Sequence, residues 1–248
     1  MDKPGIWTED FKIRSFQADF NGNLSLPALL GIFQETAGEH ADAFSLGYEN
    51  MIKNNWAWVL SRIKVRIYRI PRWKEIVSLR TWVKERTRLL SIRHFEIFSE
   101  KREKLLGAVS EWALVNIETK KPVFLTNLNL DFPFYPEMRA LEERPEKLIP
   151  SENMSFSGNY TVKNSDVDVN MHMNNAQYLR VVLDSYEVTW LKKFRIEVFD
   201  INFKAEAMVG DELTLKTRSD GNLFLHSVER KKDKRPVALL KLKWEEQQ

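Results

Sequence analysis

The stretch Asp166-Val-Asp168-Val-Asn170-Met-His172-Met-Asn174-Asn175-Ala-Gln-Tyr178 sets two carboxylates, several carboxamides and an imidazole among valines and methionines. Such groups move protons, since an imidazole titrates near neutrality and a nearby carboxylate can act as a general base. If the segment is extended, Asp168, Asn170, His172 and Asn174 share one face, while Val167, Val169, Met171 and Met173 share the other. A helix opening near Asn175 would place free N–H groups and the positive end of its dipole beside that polar face, a setting for a developing oxyanion. A plainer use competes for each residue taken singly: Asn174 or Asn175 caps the helix, and the others form Asx turns.

The elements that must hold this string follow from periodicity. Leu30, Phe33, Ala37, Ala41 and Phe44 recur at helical spacing behind Ser25 and Pro27, predicting an amphipathic helix over 26–44. From 56 to 83 the pattern becomes alternation, with Ile63, Val65 and Ile67 set against Arg62, Lys64 and Arg66 and a break at Pro71. Strands are also predicted over 91–98 and 109–117, joined by a polar turn at 99–104. The order then repeats, with an alternating segment over 156–162, a helix over 175–191, and strands over 198–204, 212–218, 223–230 and 237–244. An offset of 149 residues pairs Ile13 with Val162, Asp19 with Asp168, Asn21 with Asn170 and Ser25 with Asn174. The chain therefore reads as a duplicated α+β domain. Residues 1–123 and 151–248 are the two copies, and 124–150, rich in Pro, Glu and Arg, is the linker.

Composition narrows the chemistry. With no cysteine, disulfides, Cys-based zinc sites and a catalytic thiol are excluded. There is no His-x-x-x-His pair, no G-x-S-x-G elbow and no phosphate-binding loop among the nine glycines. No metal and no cofactor is expected, and serine-hydrolase and nucleotide-dependent chemistry are disfavoured. His40, His94 and His226 fall on helix or strand patterns and read as core. No stretch approaches the ~18 apolar residues of a membrane span, and no secretory signal opens the chain, so a cytoplasmic protein is expected. Net charge is +3, yet cations crowd into Arg62, Lys64, Arg66, Arg69, Arg72 and Lys74, and again into Arg80, Lys84, Arg86 and Arg88. They suit an acidic partner or, residue by residue, the outward positions of strands. The run from Lys231 to Arg235 lies between two predicted strands and reads as a hairpin tip, not a nucleic-acid patch.

The string D-x-N-x-H-x-N-N-x-x-Y, here Asp168 to Tyr178, resembles the one that opens the second helix of plant and bacterial acyl-acyl-carrier-protein thioesterases. Shorter pieces in the same order extend the resemblance over most of the chain: Phe11-Lys-Ile-Arg14-Ser15, Gln34-Glu-Thr-Ala37, Trp58-Val-Leu-Ser-Arg62 and Thr81-Trp82-Val83. The resemblance implies a tandem (double) hotdog, each half a long helix wrapped by a curved antiparallel sheet. That family also carries a glutamate followed by a cysteine on a downstream strand. The matching stretch here is Ile201-Asn-Phe-Lys-Ala-Glu206-Ala207, so the glutamate is kept and a cysteine nucleophile is ruled out.

The implied catalytic set is Asp168, Asn170, His172 and Glu206, with water attacking the thioester and Glu206 or Asp168 as general base. Asn170 would orient the water or a carboxylate, and His172 would hydrogen-bond within the set or protonate the leaving thiol. In the first copy Asp19 and Asn21 persist, but Asn23 matches His172 and Glu206 falls near Arg69. One site per chain is therefore expected, with the first half contributing to the acyl pocket. The implied partner is an acidic acyl carrier protein bearing a fatty acyl chain, the protein being a monomer or homodimer of the bacterial type without a chloroplast leader. A hotdog thioesterase acting on acyl-coenzyme A, and a non-catalytic acyl-binding module, are the alternatives.

Overall fold

The computed structural model describes residues 5–128 and 132–247. Contacts divide the chain into two units, 1–25 with 31–145 and 26–30 with 146–248. In the first, β1 (Ile6–Lys12) leads to α1 (Leu26–Asp42) and α2 (Tyr48–Lys53), then β2 (Trp56–Ile67), β3 (Ile76–Arg86), β4 (Leu90–Ser99) and β5 (Lys104–Asn116). These strands pair antiparallel in the order β1-β3-β4-β5-β2. In the second, β6 (Ser155–Thr161) leads to α3 (Asn175–Leu183) and α4 (Val188–Lys193), then β7 (Phe194–Phe203), β8 (Glu212–Asp220), β9 (Leu223–Arg230) and β10 (Arg235–Glu246). Their order, β6-β8-β9-β10-β7, repeats the first position by position. The chain is the α+β tandem hotdog that the sequence led us to expect.

The alternation in β2 buries Ile63, Val65 and Ile67, and Phe33 of α1 stacks on Phe95 of β4 at 4.5 Å between ring centroids. Each such side chain contributes roughly 1.5–3 kcal/mol by leaving water. Lys64, set between buried neighbours, is itself buried, with its ammonium 3.2 Å from Glu143. Arg62 pairs with Glu111 at 2.9 Å, Arg69 with Glu75 at 2.6 Å and Arg80 with Glu96 at 2.5 Å. These four of the ten cations in the two basic runs are thus paired within the unit.

One expectation needed revision. The second helix stops at Leu183, not 191: the Ser185 hydroxyl bonds the Val182 carbonyl, and the chain turns so that Tyr186 joins Trp190, Phe224 and Trp244 in one aromatic cluster. The apolar period runs on because α4 supplies Trp190 to the same cluster. The stretch 124–150 carries no long element, yet it is tethered (Asn129 to Asp131 lie outside the described residues). Ala140 donates its N–H to His94 Nδ1 at 3.0 Å and accepts from Lys104 at 2.6 Å. Further on, Leu148 N–H bonds Asn202 Oδ1 at 2.9 Å.

His40, His94 and His226 are core residues. His40 Nδ1 accepts from the buried Arg93 guanidinium at 2.8 Å, and His226 lies between the Tyr186 hydroxyl at 2.8 Å and Thr217 Oγ1 at 2.9 Å. Burial pushes all three imidazoles down to about 3.

Candidate active site

The polar string is not extended. Val167 bridges Met173, Asp168 N–H donates to His172 O at 2.9 Å, and Met171 N–H donates back to Asp168 O at 2.9 Å. One Asp168 carboxylate oxygen accepts the Asn170 N–H at 2.9 Å. The chain reverses over Val169 and Asn170, so the two-residue alternation of faces does not survive. Val169 and Met171, expected to face away from Asn170, are exposed with it at 81% and 62%.

Beneath this loop lies a buried anchor that sequence reasoning missed. Asp166 accepts from the Tyr160 hydroxyl at 2.7 Å, the Lys163 N–H at 2.7 Å and Arg180 Nη2 at 2.8 Å. Its carbonyl takes the Asn174 N–H, and Asn174 Oδ1 caps α3 by accepting from Ala176 N–H at 2.9 Å. The Gln177 N–H goes to the Asn174 carbonyl at 2.9 Å. Of the first three helical amides, this leaves the Asn175 N–H without a partner among the described residues, so the oxyanion donors expected at this helix start reduce to one.

A second loop is clamped against the first. Met173 N–H donates to Ala207 O at 2.8 Å, and Arg230 donates to Glu206 O at 3.1 Å. Arg230 in turn pairs with Asp233 at 2.6 Å in the β9–β10 turn, the position read as a solvated hairpin tip. The result is a contact of 3.3 Å between His172 Nε2 and Glu206 Oε2, both within reach of solvent. Asn170 stands on the turn beside them, and its carboxamide has no partner among the described residues. An imidazole and a carboxylate meet at one accessible place, which is equipment for proton transfer to and from water. No group of three or more metal-binding side chains occurs among the described residues.

The first unit builds the same loop, with one further bond from Asn23 N–H to Asp19, and so acts as an internal control. Ala18 bridges Leu24, Asp19 N–H donates to Asn23 O at 2.7 Å, Gly22 N–H donates to Asp19 O at 3.0 Å, and Asp19 Oδ1 accepts the Asn21 and Asn23 N–H groups. Leu24 N–H donates to Pro71 O at 2.7 Å, as Met173 does to Ala207. Asn23 therefore stands where the second unit has His172, as expected. The loop pairing makes Ile70 the counterpart of Glu206, next to Arg69. What both copies share serves the loop, and what differs serves something else. Asp168 shares its turn-building bond with Asp19. Replacing either aspartate by alanine is expected to cost about 1 kcal/mol in denaturant unfolding, and Asp168→Asn, which keeps the acceptor oxygen, to restore most of it.

Family models for the N-terminal and C-terminal domains of acyl-ACP thioesterases match residues 4–128 and 150–246. The chain belongs to the acyl-ACP thioesterase family. An acyl-ACP thioesterase of Bacteroides thetaiotaomicron superposes with a TM-score of 0.89 at 29% identity, covering 97% of this chain and 98% of that one. The 12:0-ACP thioesterase of Umbellularia californica shares the fold, with a TM-score of 0.81 at 21% identity over 98% of each chain. A chloroplastic palmitoyl-acyl carrier protein thioesterase of Gossypium hirsutum is 28% identical over 88% of this chain, which spans 56% of that relative's length. For the oleoyl-acyl carrier protein thioesterase of Coriandrum sativum, the figures are 23%, 83% and 60%.

Proposed function

We propose that the chain hydrolyses the thioester of a fatty acyl-acyl carrier protein, releasing the free fatty acid and so ending elongation of that acyl chain. The observation that carries this reading is the His172–Glu206 contact, made on a loop pair present twice but furnished with these two side chains once. Water attacks the thioester carbonyl, Glu206 takes its proton, and the new C–O bond forms as negative charge gathers on the carbonyl oxygen. The Asn175 N–H, at the positive end of α3, receives that charge in this reading, with Asn170 orienting the water. Collapse breaks the C–S bond, and the proton passes from Glu206 through His172 to the leaving thiolate. An alkyl thiol of pKa ~8.5 needs little assistance to leave. Asp168 completes the set, with one carboxylate oxygen committed to the turn.

The N-terminal hotdog, lacking His and Glu at the equivalent positions, is the non-catalytic half and contributes to holding the acyl chain. Linker assignment to 124–150 and a cytoplasmic setting belong to the same proposal, as does a monomer or homodimer. No helix among the described residues is long and apolar enough to cross a membrane.

The test is release of free fatty acid from matched acyl-carrier-protein and acyl-coenzyme A thioesters over a range of chain lengths. Preference for the carrier-bound substrates, weakened by salt, is the expected result. Preference for coenzyme A esters would reassign the leaving group, and acyl binding without turnover would make the protein a binding module. Activity of Asp168→Asn also separates the two carboxylates. With Glu206 as base, its kcat stays within about tenfold of wild type, whereas a loss as deep as that of a general-base deletion transfers the role to Asp168.

A further inference from the structure

The comparison between copies also isolates residues of the first unit that its loops do not need. Phe16, Phe20 and Trp73 are exposed at 85%, 57% and 49% on two tight turns held side by side by Trp73 N–H to Gly22 O at 2.8 Å and the Asn23–Arg72 bridge. The second unit repeats the Lys74-to-Ile13 and Glu75-to-Arg72 backbone bonds as Gly210 to Val162 and Asp211 to Met208, with Ser165, Val169 and Val209 at the three aromatic positions, so its turn closes without aromatic rings; it has no counterpart of the Trp73–Gly22 bond or the Asn23–Arg72 bridge among the described residues. Arg72 and Lys74 are likewise replaced there by Met208 and Gly210. Lys74 holds φ +70, where Gly210 holds +82, so a lysine is kept in a conformation that glycine adopts without strain. Its ammonium lies 4.6 Å over the Trp73 ring. Arg14, Arg72 and Lys74 make no ion pair among the described residues, while the nearby acids are engaged, Asp19 by backbone N–H groups and Glu75 by Arg69.

We propose that this pair of turns is a peripheral contact with an anionic lipid surface, independent of the catalytic reading given above. Exposed Phe and Trp flanked by Arg and Lys are the side chains that enter the interfacial zone of a bilayer and pair with its anionic headgroups. Two other occupants fit less well. A second copy of the chain packed on this patch about a two-fold axis would set the three cations against themselves. An acidic acyl carrier docked at this mouth would meet Asn23 and Ile70, neither of which can accept a proton from water. The exposed rings suit an apolar interface, and the cations fix the sign of its charge.

Sedimentation with vesicles of phosphatidylcholine containing about one quarter phosphatidylglycerol, and with phosphatidylcholine alone, tests the proposal. The wild type is expected to bind the anionic vesicles and to be released by salt, and Phe16→Ser/Phe20→Ser/Trp73→Ser to lose at least tenfold in partitioning. Brominated lipids should quench the fluorescence of wild type more than that of Trp73→Phe, a conservative variant that decides the matter if the triple variant folds poorly. Absence of wild-type binding to anionic vesicles, or quenching unchanged in Trp73→Phe, overturns the assignment. So does a triple variant that keeps its vesicle binding while its KM for a carrier-bound thioester rises, because the patch would then dock protein.

Discussion

Replacing His172 by alanine, or Glu206 by glutamine, is expected to lower kcat for acyl-thioester hydrolysis by roughly 10²- to 10⁴-fold, the range for loss of a positioned acid–base group. Both side chains reach solvent, so the variants should unfold at the wild-type denaturant midpoint, and circular dichroism should not distinguish them. Because the two share one proton path across 3.3 Å, His172→Ala/Glu206→Gln is expected to cost no more than the worse single variant. The equivalent changes in the other copy, Asn23→Ala and Ile70→Ala, should leave kcat within about threefold. A Glu206→Gln enzyme turning over near the wild-type rate would end the proton-transfer role of the pair. Loss of turnover in Asn23→Ala, with the fold intact, would place chemistry in the first unit.

The second large effect is on stability in acid. His40, His94 and His226 are neutral in the folded protein, held near 3, whereas in the unfolded chain each titrates near ~6.5. The unfolded state therefore binds more protons between these values, and stability falls as pH drops from about 6.5 towards 3. The contribution is complete above the unfolded value. Each histidine withdraws up to about 1.4 kcal/mol per pH unit, so the three together remove on the order of 5 kcal/mol between pH 7 and pH 5. Glu39, whose carboxyl burial raises, acts in the opposite sense as it takes up a proton. Urea unfolding at a series of pH values measures the slope. His94→Asn offers an amide oxygen in place of Nδ1 to the Ala140 N–H, and should flatten the slope by about a third. A free energy level from pH 7 to pH 5 would mean that the three rings are not buried neutral.

Periodicity made much of the framework readable, because α1 and strands such as β3 and β8 carry a regular apolar pattern, whereas β4 and β5 are buried along nearly their whole length. The duplication was readable too, since Asp19 and Asn21 recur as Asp168 and Asn170 at one fixed offset. The site was legible as a list of side chains but not as a shape. A two-residue alternation and a tight reversal can be written with the same letters, and what selects the reversal is a set of backbone bonds within 167–173 together with a left-handed Met171. The Asp166–Arg180 anchor escaped because a charged pair joining a loop to the next helix has no period. The early end of α3 was hidden by an apolar pattern that the following short helix continues.

The two loop pairs carry their conformational strain at opposite positions. The first has glycine at 22 and a left-handed lysine at 74, and the second has a left-handed methionine at 171 and glycine at 210. In an assembly of identical subunits, symmetry copies every substitution to each equivalent place, so a histidine gained at one mouth is gained at all of them. Covalent fusion of the copies lifts that restriction. One mouth of this molecule can then specialise in turning over a bond while its twin is released to hold something else, a division of labour closed to any symmetric pair.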